Sequence, residues 1–440
     1  MNFLRNATIT FGSNFGVALL GLLTGTLLAR TLGPYGRGLM TTVLIWPLML
    51  TWAGGMSLGY ANIYYGSSGA TVRRRLFANS FWAALVLGII VGGVASFILP
   101  LYIPLTPQQH LLLMIILWTL PASLWADYAA TLLNSTSRFD QLGLVRLASP
   151  ALTAVCLLIL WQMHLLTVMS ALLTNWAGSW LQLGLTLRYL AVDDCISFRP
   201  DVALLRQSLS YSSKMHIGTL ANLANGRLDQ LVMTAIVAPK ALGLYAFSVT
   251  LSEMLKQIAA SIATVMYPKV SGEMDDYERG ILAARTTRWM LIVVSICATV
   301  LFFIAPWIVP FVWGNRFAEA VPTLRVLLPG TVALCVAITM VTNIRGTGKP
   351  GVTTTAELVS LVVMTPLLWL LVPRMGIFGA GLASTCGYSV YCLVSAWFFT
   401  KIFGKESFYG ICPTLNDWQY ICFIFRQRRL KLHSRPAVSE

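Results

Sequence analysis

The sequence predicts an all-α integral membrane fold: twelve transmembrane helices in two pseudo-symmetric six-helix bundles. Three observations lead there: a composition that no water-soluble fold carries, apolar runs of bilayer-spanning length, and a motif repeated at a constant offset between the two halves. Of 440 residues, 57% are hydrophobic and 11% charged, against about 25% charged in soluble domains. At roughly 20 apolar residues per crossing, this length holds a dozen helices with short connections, and no loop is long enough to fold alone.

The apolar runs fall at about 8–29, 39–62, 78–101, 110–133, 144–162, 166–189, 213–236, 244–267, 289–312, 323–343, 352–372 and 378–400. Backbone amides in hydrocarbon must be satisfied within their own segment, and these runs lack the period-2 alternation of barrel strands, so each is expected to be a helix. The first run follows a lone basic residue, Arg5, and is too long for the core of a cleaved leader, so it reads as an uncleaved span.

Net charge is +15, but its distribution points to topology rather than to nucleic acid. With the N-terminus inside, the cytoplasmic segments hold Arg5; Arg73, Arg74, Arg75; Arg138, Arg146; Arg188, Arg199, Arg206, Lys214; Lys269, Arg279, Arg285, Arg288; Arg345, Lys349; and seven more from Lys401 onward. The external loops hold six: Arg30, Arg37, Lys240, Arg316, Arg325 and Arg374, while Arg227 and Lys256 fall inside spans. The positive-inside rule then places both termini in the cytoplasm. The long polar connections at 190–212 and 268–288 lie on the same side.

The first of those connections divides the chain into six spans and six. LGPYGRGL at 32–39 joins spans one and two, and VAPKALGLY at 237–245 joins spans seven and eight; an offset of 205 aligns Pro34 with Pro239, Gly38 with Gly243 and Leu39 with Leu244. Pro stops one helix, and Gly lets the next pack closely or take positive φ. A third instance, MGIFGAGL at 375–382, joins spans eleven and twelve. The expected organisation is an N-terminal bundle over 1–200, a C-terminal bundle over 201–404 and a basic cytoplasmic tail over 405–440. The bundles would be related by an axis along the membrane normal. In the tail, an aromatic stretch too short to span precedes Arg426, Arg428, Arg429, Lys431 and Arg435, which suits either a helix on the anionic leaflet or a disordered anchor.

No enzyme motif is present: no HExxH, GxSxG or P-loop, and the four histidines are scattered. The eight cysteines form no CxxC and no ligand-spaced cluster, so they read as free thiols, and neither metal nor cofactor is expected. What remains is a set of ionisable residues in spans, each costing roughly 2.5–3.5 kcal/mol on insertion scales. They are Asp127, Arg227, Asp229, Glu253, Lys256 and Glu357, with Arg30 and Arg146 near span ends. Glu253 and Lys256, three apart, share a helix face, either as a functional element or as a neutralised pair lining a wet interior. Arg227 and Asp229 point to different faces, so each needs a partner on another helix or a cavity. Arg30 and Arg146 either snorkel to headgroups or grip phosphate with the bidentate fork that Lys lacks.

LLARTLGPYGRGLM at 27–40 resembles the first-hairpin signature of polysaccharide-biosynthesis (O-antigen) flippases, a family of the multidrug/oligosaccharidyl-lipid/polysaccharide exporter superfamily. RLDQLVMTAIVAPKALGLYAFSVTLSEML at 227–255 is similar to their seventh and eighth spans, and VMYPKVS at 265–271 to the close of the eighth. Arg30, Gly33, Pro34, Gly38, Asp229, Gly243 and Pro268 match the family pattern, whereas Tyr35 and Gly36 replace its acidic or Phe residues. The resemblance implies two lobes around a cationic cavity that flip an undecaprenyl-pyrophosphate-linked oligosaccharide to the outer leaflet by alternating access. Arg30, Arg146 and Arg227 would bind substrate, and Asp127, Asp229, Glu253, Lys256 and Glu357 would serve ion coupling or line the lumen. Gly33, Pro34, Gly38, Pro239 and Gly243 would form structural turns. The implied partners are that polyprenyl-linked oligosaccharide, membrane lipids, and a polysaccharide polymerase with its chain-length regulator, in a cell inner membrane. Two other readings stay open at this point: a multidrug or toxin exporter of the same fold, and an envelope-assembly scaffold that transports nothing. A peptidoglycan-precursor flippase shares the fold but commonly carries extra helices.

Overall fold

The computed structural model describes residues 3–102, 107–136, 138–271, 276–347 and 351–411, and among them it is helical with no strand. In chain order the helices are α1 (Phe3–Gly54), α2 (Leu58–Gly66), α3 (Ala70–Tyr102), α4 (Pro107–Leu117), α5 (Leu120–Ser135), α6 (Phe139–Gln162) and α7 (Val168–Val192). The second half holds α8 (Val202–Ile236), α9 (Pro239–Ser271), α10 (Asp276–Trp313), a 3-10 turn at Asn315–Ala320, α11 (Val321–Gly346) and α12 (Gly351–Tyr409).

Six of these helices are long and apolar enough to cross a bilayer alone, and α4 with α5, bent by 44° at their break, makes a seventh span. Two of the six are double. α1 is broken at Gly33 (φ 65°, ψ −173°), and α12 at Gly376 (φ 57°, ψ −134°), so each is a pair of antiparallel crossings. Positive φ of this kind is what glycine tolerates and other residues resist. With the more polar α7, α8 and α9 the total is twelve spans, as expected.

Several boundaries differ from the apolar runs. The second crossing ends at Gly54, where Met56 and Ser57 take positive φ, and the short α2 continues from there. α8 and α10 start well before their apolar cores, at Val202 and Asp276, so much of the two polar connections is helix rather than loop. Asp201 caps α8 by accepting Leu204 N–H at 3.0 Å, the usual way to satisfy an open first turn. α12 runs past Phe403 across a second break at Gly404, and Ile411 packs with Ala283, Ala284 and Phe399. The rest of the tail, from 412 on, lies outside the described residues.

Two six-helix bundles result. α1, α3, α5, α6 and α7 pack on one another, as do α8, α9, α11 and α12, with α10 on α11. Gly33, Gly376 and the α8–α9 turn mark one end of the molecule, the turn end. The opposite, basic end carries Arg73, Arg74, Arg75, Arg138 and Arg199. Lipid gives apolar faces little reason to associate, so membrane helices pack through small residues and polar contacts. The closest approach of this kind joins the two bundles, α1 against α9.

Candidate functional site: a cationic pocket beneath a closed hairpin seam

The repeated motif forms the seam itself. A Cβ on Gly38 would overlap the Pro239 carbonyl, and a Cβ on Gly243 would overlap the Pro34 carbonyl. Since Pro239 is Pro34 plus the offset and Gly243 is Gly38 plus the offset, the contact is reciprocal, as across a two-fold axis. The two hairpins reach their turns differently: Gly33 turns the first through positive φ, whereas Val237 turns the second in extended conformation (φ −116°, ψ 156°) ahead of Pro239 at the first helical position.

Further bonds close the turn end. Arg30 Nε donates to Val312 O at 2.6 Å and its Nη2 to Phe311 O at 2.8 Å, which satisfies carbonyls at the last turn of α10. Lys240 Nζ sits 2.9 Å from Glu319 Oε1, and buried Ser248 Oγ donates to Ala320 O at 3.0 Å. At the basic end the lobes also meet: Tyr64 stacks on Tyr211 with centroids 4.8 Å apart, and Ser57 Oγ lies 3.0 Å from His216 Nδ1.

Between these contacts lies a cavity of about 280 Å³ lined by Leu28, Arg37, Met40, Thr41, Leu44, Ile45, Leu48, Arg227 and Gln230. Its polar groups are two guanidiniums, an amide and the Thr41 hydroxyl, with no carboxylate in the lining. Among the described residues Arg37 donates a single long bond, Nη1 to Gly25 O at 3.3 Å. Arg227 Nη2 is 3.2 Å from Glu253 Oε2, whose other oxygen takes Lys256 Nζ at 2.7 Å. The local Glu253–Lys256 pair is therefore present as the spacing suggested, and Glu253 also supplies the partner that Arg227 needed on another helix. An adjoining cavity of about 240 Å³ shares Leu28 and Met40 and adds Thr24, Ser149, Thr153 and Asn175.

The remaining expected residues sit elsewhere. Arg30 belongs to the seam and does not line the pocket; Arg146 is half-buried on α6, also outside it. Asp229 and Glu357, expected to serve ion coupling or to line the lumen, are buried inside the second bundle. The Asp229 carboxylate takes bonds from Tyr245 Oη, Ser384 Oγ and the Gln230 N–H. Glu357 accepts Asn222 Nδ2 at 2.8 Å, while Asn225 bridges the Glu357 carbonyl and Ser360. Asp127 is exposed on α5, away from the pocket lining. The sequence reading missed Arg37 by counting it as a loop cation. Its signal was helical spacing: Arg37, Thr41, Leu44 and Leu48 recur every three or four residues and form one face of the second span.

The three-residue charge set gives a direct expectation. Glu253→Gln leaves Arg227 and Lys256 facing one another unneutralised and should destabilise the protein by about 1–2 kcal/mol, discounted for partial exposure. Arg227→Ala leaves Glu253 paired with Lys256 and should cost less. Thermal unfolding of the two variants in one detergent checks the order, and equal losses would contradict it.

Two related six-helix lobes, in contact at both ends around a cationic pocket, define a polytopic helical membrane protein. Residues 3–274, more than half of the chain, match the family described as polysaccharide biosynthesis protein. The chain belongs to that family. An uncharacterized membrane protein of Methanocaldococcus jannaschii is 24% identical over 206 residues, covering 45% of this chain; the match spans 40% of that relative's length. Among solved structures, the lipid II flippase MurJ in an inward closed conformation superposes with a TM-score of 0.73 at 14% identity, covering 95% of this chain and 92% of that one. A multidrug resistance MATE family transporter of the MOP superfamily, inward-facing, gives 0.71 at 12% identity over 92% and 98% of the two chains. At these identities the likeness is one of fold.

Proposed function

We propose that the chain flips a polyprenyl-pyrophosphate-linked oligosaccharide from the cytoplasmic to the outer leaflet of a cell inner membrane, for synthesis of a surface polysaccharide. The observation that carries this reading is the pairing of Arg37 and Arg227 in one intramembrane pocket without a carboxylate in its lining. A pyrophosphate cannot enter hydrocarbon unaided, and two guanidinium forks in a low-dielectric pocket stabilise it through charge-assisted bonds. The polyprenyl chain stays in lipid while the head group passes between the lobes, and rocking of the lobes exposes the pocket to each side in turn. An exporter of organic cations would need acidic pocket residues, and Asp229 and Glu357 are turned away from this one. The partners in polymer assembly, a polymerase and its chain-length regulator, follow from the same reading.

Orientation is part of the proposal: the basic end is cytoplasmic, as are both termini, and the six-helix units divide near residue 200. Reporters fused after Arg75, Arg206 and Lys349 should read cytoplasmic, and those after Gln108, Lys240 and Arg374 external. A single fusion on the opposite side would overturn the orientation.

Asp229 is the proposed coupling group, since its carboxylate is held by two hydroxyls on neighbouring helices, Tyr245 on α9 and Ser384 on α12. Asp229→Asn preserves an acceptor for Tyr245 and should leave the fold intact while cutting transport at least roughly ten-fold, the loss expected when a charged hydrogen-bond partner is removed. Export at the wild-type rate would remove Asp229 from the coupling scheme.

A further inference from the structure

At the basic end, an open cavity of about 450 Å³ is lined by Thr71, Arg74, Arg75, Ser197, Arg199, Pro200, Asp201 and Val202. Its floor is rigid. Buried Asn79 on α3 pins the connection by two bonds, Nδ2 to Asp201 O at 2.9 Å and Asp201 N to its Oδ1 at 2.8 Å. Asp201 also caps α8, and Trp82 Nε1 donates to Phe198 O at 3.0 Å. Phe81 and Phe198 lie edge to face at 5.1 Å, so residues 197–201, though irregular, are bolted to α3.

Three guanidiniums converge on this floor. Arg74 is 3.6 Å from Asp194 and Arg75 is 3.3 Å from Asp201, both longer than a close charge-assisted bond, and the Arg199 side chain makes no bond or ion pair among the described residues. Two carboxylates therefore face three cations that retain most of their donors. Along α3, Trp82 stands seven residues from Arg75, about 10 Å at helical rise. Trp82 and Phe198 are both exposed on that side. A cationic pocket with exposed aromatic rings directly beside it offers a charged headgroup and its first acyl carbons adjoining partners, as at a membrane interface.

We propose that this pocket binds the phosphodiester headgroup of an anionic phospholipid of the adjacent leaflet, with the phosphate held by Arg74, Arg75 and Arg199 and the acyl chains lying against Trp82 and Phe198. The positive-inside bias requires charge at this end, but neither a pinned floor nor an aromatic wall. The site is independent of what the central pocket carries, and it depends on the proposed orientation only for the identity of the leaflet.

The test is native mass spectrometry of the full chain released from nanodiscs of phosphatidylcholine and phosphatidylglycerol. Wild type should retain phosphatidylglycerol in preference to phosphatidylcholine. Arg199→Gln and Arg74→Gln should each lower that retention roughly five-fold, the contribution of one cation beside an anionic leaflet, and Trp82→Ala should lower it as well. Arg206→Gln, which removes a like charge from the same end outside the pocket, should leave it unchanged. Equal loss in Arg206→Gln would mean diffuse attraction and would overturn the pocket. Displacement of the lipid by inorganic phosphate would make a free phosphate the ligand and overturn the lipid assignment.

Discussion

Gly38→Ala is expected to abolish most polymer export while the protein remains in the membrane. The new Cβ falls on the Pro239 carbonyl, a backbone atom that no rotamer change can move aside. Overpacking of this kind costs about 1–3 kcal/mol, and a conformational equilibrium shifts by roughly five- to hundred-fold for that energy, here away from the closed turn end. Gly243→Ala should behave alike, because it meets Pro34 by the same geometry. The double variant should be little worse than either single one, since both separate a shared seam and their effects do not add. Hydrogen exchange of peptides covering 33–42 and 237–245 should rise in all three. Wild-type exchange together with wild-type export in Gly38→Ala would show that the seam does not have to close for transport.

The second large effect concerns the pocket cations. Arg37→Ala and Arg227→Ala should each reduce export roughly ten- to hundred-fold, the range for removing a charged hydrogen-bond partner, and lipid-linked repeat units should accumulate on the cytoplasmic leaflet. Arg→Lys at either site should rescue only in part, because a point charge replaces a bidentate fork. Protein level separates this from misfolding. Glu253 keeps Lys256 when Arg227 is lost, so Arg227→Ala should be present at normal amount. A stable variant with normal export would remove Arg227 from substrate contact.

Much of the fold was legible because bilayer length and backbone satisfaction leave few options, and the alignment of Pro34 with Pro239 and Gly38 with Gly243 at one offset already contained the pseudo-symmetry. The reciprocal contact between those residues was not legible, since a repeat establishes equivalence and not adjacency. The candidate site was read unevenly for a similar reason. Hydropathy identifies a charge inside a span but not the direction it faces: Arg227 turns to the pocket, Asp229 two residues later turns into its own bundle, and Arg37 was hidden by its place beside a turn. The helical extensions of α8 and α10 escaped notice because outside hydrocarbon a helix need not be apolar.

The contacts of Arg30 bear on how the protein is made. Its acceptors, Val312 and Phe311, lie 282 and 281 residues further along the chain, an interval of roughly 15–60 s at ordinary rates of synthesis. The first hairpin must therefore wait in the bilayer with its guanidinium at the surface until the ninth span arrives. This tie between the two halves can form only once the ninth span has been made, which puts it among the later contacts of the molecule to assemble.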